Sequence, residues 1–141
     1  MKFSDLNSTT QDKIIELLNQ HLASSASILK TDHCLLPMML IPDTKQLISL
    51  QSDNKNIDVD KAYSLVIEKL KQENFTYALF SYSTKIYLTN NAPIDALKTY
   101  IFTKDGIQVS FYSPYYIKGL FKKTITIEKT ILDNILENVL N

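Results

Sequence analysis

Residues 99–112 have the sequence TYIFTKDGIQVSFY, in which two alternating apolar runs flank Asp105 and Gly106. An Asp-Gly pair between such runs favours a two-residue type I′ hairpin turn. That turn would place Lys104 opposite Ile107 and would fix the register of the whole ribbon. In this register one face of the ribbon would be apolar and would carry Tyr100, Phe102, Ile107, Val109 and Phe111.

Helical and extended patterns alternate in the residues before this hairpin. Apolar residues spaced three and four apart predict a helix from about Thr9 to Ala26. Asp58 is positioned to cap a second helix, and Asp60 in its first turn would interact favourably with the helix dipole. Short apolar runs predict strands at residues 34–41, 46–51, 75–82 and 85–89, and the polar residues 51–56 are predicted to form a loop.

The residues after the hairpin predict a third helix, from about Ile127 to Leu140, with apolar side chains over half of its circumference. The resulting order is α-β-β-α-β-β-β-β-α, with hairpins rather than crossover connections. This order predicts the α+β class, with a largely antiparallel sheet of about six strands and three helices packed on it. A chain of 141 residues also predicts a single domain, residues 1–141.

The charge balance excludes one large class of partner. Fifteen basic residues oppose fifteen acidic ones, and every basic residue is a lysine. Arginine provides the planar fork that grips phosphates and guanine edges, and non-specific affinity for nucleic acid requires concentrated positive charge. We therefore expect no nucleic-acid partner.

Hydropathy and cysteine usage bear on the location of the chain. No apolar run approaches the roughly 20 residues that span a bilayer, and the N-terminus shows no apolar signal core. The lone Cys34 suits a reducing compartment. These features predict a cytoplasmic protein that does not associate with membranes.

Reactive residue types are few. Cys34 could act as a nucleophile with His21 or His33, but adjacent residues on a strand point to opposite faces, so His33 is poorly placed. A buried free thiol beside a surface histidine is the favoured interpretation. One cysteine and two histidines are too few for a typical zinc site, and two glycines cannot form a phosphate-binding loop. We expect no metal, no cofactor and no catalytic residues.

Tyrosine is concentrated in the second half of the chain, where seven of the eight lie between Tyr77 and Tyr116. Tyrosine is common both in strands and at protein interfaces. The hairpin face opposite the apolar set, together with the tyrosines that follow it, is therefore the candidate partner-binding surface. Its residues are Leu97, Thr99, Ile101, Tyr112, Tyr115 and Tyr116.

Three functional hypotheses remain open. The leading one is a non-catalytic protein–protein interaction module, such as an inhibitor, an immunity-type protein or an accessory protein. The second is a self-associating structural protein, a homodimer in which Leu136 and Leu140 of the C-terminal helix face a symmetry mate. The third is a small enzyme that uses Cys34 with a histidine. The lysines around Leu120 and Phe121 are too few for a membrane patch and are interpreted as a solvated rim.

Overall fold

The computed structural model of the chain describes residues 1–50, 58–87 and 92–141. These ranges contain two α-helices, α1 (Ser8–Asp32) and α2 (Val59–Gln72). Neither helix is both long enough and apolar enough to cross a membrane. The strands are β1 (Met38–Ile41), β2 (Gln46–Ser49), β3 (Tyr77–Ile86), β4 (Ile94–Thr103), β5 (Gln108–Lys118), β6 (Thr124–Ile127) and β7 (Ile131–Leu136).

The strands form one antiparallel sheet in the order β2-β1-β3-β4-β5-β6, with β7 also paired to β5. β6 pairs with residues 115–118 of β5 and β7 pairs with residues 108–112, so the two follow one another along the edge of β5 opposite β4. The predicted α+β class and the largely antiparallel sheet are confirmed. The assignment of residues 1–141 to a single domain stays a prediction.

The two helices lie on opposite faces of this sheet, because neighbouring residues of β3 pack against different helices. Leu79 belongs to a buried cluster with Ile14 and Leu17 of α1. Its neighbour Phe80 belongs to a cluster with Val66 of α2. Since both faces are covered, the central strands are apolar on both sides, as in sheets buried between two layers.

The predicted register of the β4–β5 hairpin is wrong by one residue. Thr103 rather than Lys104 lies opposite Ile107, and the Thr103 N–H donates to the Ile107 carbonyl at 2.9 Å. The loop therefore has three residues, and it ends at Gly106, whose φ of 87° is left-handed. A three-residue hairpin loop normally uses glycine in this position, so the Asp-Gly pair is compatible with either loop length.

This shift in register also removes the single apolar face. Ile101 lies opposite Val109, and both belong to the cluster beneath α1. Phe102 lies opposite Gln108 and packs in the cluster beneath α2. The apolar residues of the hairpin are thus divided between two covered faces.

The predicted C-terminal helix is wrong, since the segment forms β6 and β7 instead. Leu132 and Ile135 share a face although they are three residues apart, because Asp133 is an extra residue in a bulge against β5. This spacing imitates a helical repeat. In the extended form, this segment can pair its backbone N–H and C=O groups with those at the edge of β5, which favours strands over a helix here.

The remaining elements agree with the predictions in part. The Asp58 cap is confirmed, because its side chain accepts a hydrogen bond from the Lys61 N–H at 3.1 Å. α1 continues beyond Ala26 to Asp32 and buries Leu29 in its last turns. The predicted break between strands 75–82 and 85–89 is wrong, because β3 is continuous through Ile86. The predicted loop at residues 51–56 and the last two residues of the 85–89 strand lie outside the described ranges.

Candidate functional site

The six residues of the candidate partner-binding surface do not share one exposed face. Leu97, Thr99 and Ile101 are completely buried on the α1 side of the sheet. Tyr115 is also buried there, and its hydroxyl lies 3.0 Å from Ser83 Oγ. The prediction of one exposed surface is therefore wrong, because α1 covers the face of the hairpin on which Leu97, Thr99 and Ile101 lie.

Tyr112 and Tyr116 are the two members of that set that remain accessible. Tyr112 lies on the α2 side, where its ring contacts the Lys98 ammonium at 3.8 Å from the centroid. Tyr116 is exposed on the part of β5 that pairs with β6. The structure therefore places these two tyrosines in different surroundings, each beside residues that the sequence did not single out.

Cys34 is exposed, so the expectation of a buried thiol is wrong. His21 is buried in α1 with its Nε2 3.2 Å from Ser25 Oγ, and burial lowers the pKa of His21 to about 4. His33 ends α1 and contacts the Lys123 amine. Among the described residues no hydrogen bond joins Cys34 to a histidine, and no three His, Cys, Asp or Glu side chains are grouped to hold a metal.

A polar cluster centred on Lys98 lies on the α2 side of the sheet. The Lys98 side chain is only 6% exposed, and its Nζ lies 2.5 Å from Asp133 Oδ2. Burial lowers the pKa of Lys98, but its hydrogen bond to Asp133 helps to raise the pKa above the ordinary value. The ammonium is therefore charged at neutral pH and is compensated by the carboxylate.

The bulge in β7 builds this cluster. Asp133 Oδ2 and Asn134 Oδ1 lie 3.0 and 2.8 Å from Ser110 Oγ, so these two adjacent side chains reach the same partner. In a regular strand adjacent side chains point to opposite faces. Bulges commonly re-aim a side chain in this way beside functional sites.

Tyrosines complete the wall of a cavity of about 310 Å³ next to Lys98 and the first turn of α2. The hydroxyl oxygens of Tyr82 and Tyr100 are 3.4 Å apart, and the Tyr63 hydroxyl donates to Gln108 Oε1. Burial raises the pKa of Tyr100 well above its ordinary value, so that its hydroxyl stays protonated. We call this feature the Lys98 cavity.

The turn between β5 and β6 presents the most exposed apolar side chains among the described residues. Leu120 and Phe121 are 91% and 102% exposed. Gly119 begins the turn with φ 106°, and a Cβ atom there would come within 2.2 Å of the Lys122 carbonyl oxygen. Only glycine fits this backbone. We call residues 119–123 the hairpin tip; Lys122 and Lys123 belong to it, and Lys118 precedes it.

Comparisons with protein-family models, with curated proteins and with solved structures find no match to this chain. The hairpin tip and the Lys98 cavity are therefore the two features on which a function can rest. The residues of the tip stand out in the sequence, but their lysines were expected only to form a solvated rim. No sequence signal indicates the cavity, because Lys98 and Asp133 are 35 residues apart.

Proposed function

We propose that this protein is a non-catalytic protein–protein interaction module and that the hairpin tip is its contact element. The observation that carries the proposal is the exposure of Leu120 and Phe121, two large apolar neighbours that contact almost nothing in their own chain. Removing a side chain of this kind from water contributes roughly 1.5–3 kcal/mol. A single exposed leucine is ordinary, but two adjacent large residues at a projecting turn favour a docking role.

The lysines around the tip specify the kind of partner. Lys118, Lys122 and Lys123 lie next to the two apolar side chains in the sequence. A partner that covers Leu120 and Phe121 would therefore meet these lysines at the rim of the contact. Rim charges steer association and select partners of opposite charge. The complementary surface is an apolar recess bordered by aspartate or glutamate residues on another protein.

The backbone of the tip supports a preorganised contact. Gly119 holds a tight turn that no other residue would fit, and the turn is joined to the eleven-residue strand β5. A contact element that is already held in its binding conformation loses little entropy on association. An inhibitor, an immunity-type protein or an accessory protein would use such an element to occupy a recess on its target.

The same proposal includes a cytoplasmic location and excludes nucleic acid as the partner. The exposed thiol of Cys34 is compatible with a reducing compartment. Fifteen lysines are balanced by fifteen acidic residues, so the positive charge at the tip is local. An enzyme that uses Cys34 is less favoured, because within the described ranges no histidine nitrogen is hydrogen bonded to the thiol.

Affinity capture from the organism's own lysate tests the proposal when three forms of the protein are compared. These are the natural chain, the double variant Leu120→Ser/Phe121→Ser, and Leu47→Ser as the matched control. Leu47 is 66% exposed on β2 at the other edge of the sheet, so its replacement removes a similar exposed group elsewhere. We expect one near-stoichiometric partner with the natural chain and the control, and its loss with the tip variant. Equal capture by all three forms would contradict the proposal.

Self-association is a second candidate, which the edge of the sheet favours. β7 pairs only with β5 in the described part of the chain, and it exposes Ile131, Leu132 and Leu136. Strand edges of this kind readily pair with a second copy. The contact would use β7 rather than the expected helical surface of Leu136 and Leu140, because that helix does not form. Light scattering should then show a dimer that Leu136→Lys dissociates, and a monomer at every concentration would rule it out.

A further inference from the structure

The Lys98 cavity has the size and the walls of a site for a small molecule. Its volume of about 310 Å³ is at the lower end of the range for ligand pockets. One wall is the sheet, with Lys98 and Ser110, and the other is the N-terminal part of α2, with Asp60 and Tyr63. The bulged strand β7 supplies Asp133 at its rim.

Hydrogen-bond donors in this cavity have capacity that the protein does not use. The Lys98 ammonium has three N–H groups, of which one donates to Asp133 and a second interacts with Tyr112, so that one remains for a ligand. Between the hydroxyls of Tyr82 and Tyr100 only one hydrogen atom can lie on the line joining the oxygens. The other O–H is free to donate to a bound molecule.

Acceptors face the same space. Asp133 receives Lys98 and Ser110 on Oδ2, and among the described residues its Oδ1 makes no hydrogen bond. The carboxylate of Asp60 lines the opposite wall. Each carboxylate oxygen can accept about two hydrogen bonds, so both groups can receive donors from a ligand.

A ligand for these walls must donate and accept at once. A carboxylate only accepts and a phosphate mainly accepts, and the charge of either anion would be repelled by Asp60 and Asp133. An ammonium group only donates, and it would meet the positive charge of Lys98. A hydroxyl group does both, so a ligand that carries several hydroxyl groups can pair with the donors and with the acceptors of these walls.

We propose that the Lys98 cavity binds a small neutral polyhydroxylated ligand of the size of a monosaccharide. The site is independent of the hairpin tip, because β5 enters the cavity at Gln108 and Ser110 and reaches the tip only after Lys118. Failure of either proposal therefore leaves the other standing. The tyrosine hydroxyls fix the ligand, and the paired Lys98 and Asp133 receive its hydroxyl groups.

Chemical-shift titration of the ¹⁵N-labelled full chain tests this site. The probes are D-glucose, D-galactose and D-mannose, each added alone, with inorganic phosphate and choline as anionic and cationic comparisons. We expect at least one sugar to cause saturable shifts at the amides of Ser110 and Asn134, and no saturable shift there with phosphate or choline. No saturable shift with any of the three sugars would overturn the proposal, and so would shifts caused by phosphate or choline alone.

A conservative variant separates ligand binding from a merely structural role of the cluster. Tyr82→Phe removes one hydroxyl while it keeps the ring that packs 5.4 Å from the Phe80 ring. Loss of one hydrogen bond should weaken sugar binding roughly tenfold. Tyr87→Phe is the matched control, because Tyr87 is exposed outside the cavity. Sugar affinity of Tyr82→Phe equal to that of the natural chain would overturn the proposed site.

Discussion

The Lys98 ammonium lies 2.5 Å from Asp133 Oδ2, and this ion pair joins β4 to β7 across the intervening strand β5. The lysine is buried and the aspartate is partly exposed. Breaking such a pair is costly when it leaves a buried charge without a partner, whereas replacing both charges costs less. The strand β7 is therefore held in place by this ion pair as well as by its backbone pairing with β5.

Asp133→Asn should destabilise the fold more than Lys98→Met does. The first change leaves the buried ammonium uncompensated, which costs about 3–5 kcal/mol, and the second removes the buried charge itself. Urea denaturation of both variants and of the double variant gives the comparison. We expect the double variant to be more stable than the sum of the single losses predicts. Additive losses would show that the two side chains do not interact.

The stability of the protein should fall at mildly acidic pH because of His21. Burial lowers the pKa of this residue from its ordinary 6.5 to about 4, so between these values the unfolded chain binds a proton that the folded chain excludes. Stability is therefore lost as the pH falls from 6.5 towards 4, by on the order of 3 kcal/mol in total. His21→Gln should reduce this dependence in urea denaturation between these pH values. If the free energy of unfolding of His21→Gln depended on pH as steeply as that of the natural chain, His21 would not be the cause of the pH dependence.

Gly119→Ala should destabilise the chain more than Gly106→Ala does. Both glycines have positive φ values, 106° and 87°, so each replacement incurs the cost of a left-handed backbone, about 1–2 kcal/mol. At Gly106 the nearest atom to a new Cβ is 3.6 Å away, whereas at Gly119 the Lys122 carbonyl oxygen is at 2.2 Å. Thermal denaturation of the two variants measures the difference. Equal losses would mean that the tip backbone adapts.

Leu97→Ala should cost about 2–5 kcal/mol, because Leu97 is buried against Leu29 of α1. Tyr116→Ala is the comparison, since Tyr116 is exposed and its replacement should change the free energy of unfolding by less than about 1 kcal/mol. Urea denaturation decides between the buried position found here and the exposed surface that the sequence predicted. Similar small losses in both variants would support the exposed surface.

Local signals predicted local structure. The Asp58 cap and the β4–β5 hairpin depend on residues close together in the chain, and both are present. The hairpin register was not predictable in the same way, because Gly106 suits loops of two or three residues. The choice between them depends on α1 and α2, which cover both faces of the sheet.

The C-terminal strand and the Lys98 cavity were not predictable for a related reason. The bulge at Asp133 places Leu132 and Ile135 on one face with helical spacing, so periodicity alone indicates a helix. The pairing of β7 with β5 then brings Asp133 to Lys98. A contact of this kind follows from the sheet and cannot be derived from the spacing of the residues.

The most direct test of the interaction module is the affinity of the purified partner for the natural chain and for Leu120→Ser/Phe121→Ser, measured by isothermal titration calorimetry. We expect the tip variant to bind roughly 100-fold more weakly, as expected when two central apolar contacts are lost. We also expect binding of the natural chain to weaken with added salt, because Lys118, Lys122 and Lys123 border the contact. An unchanged affinity in the tip variant would contradict the account.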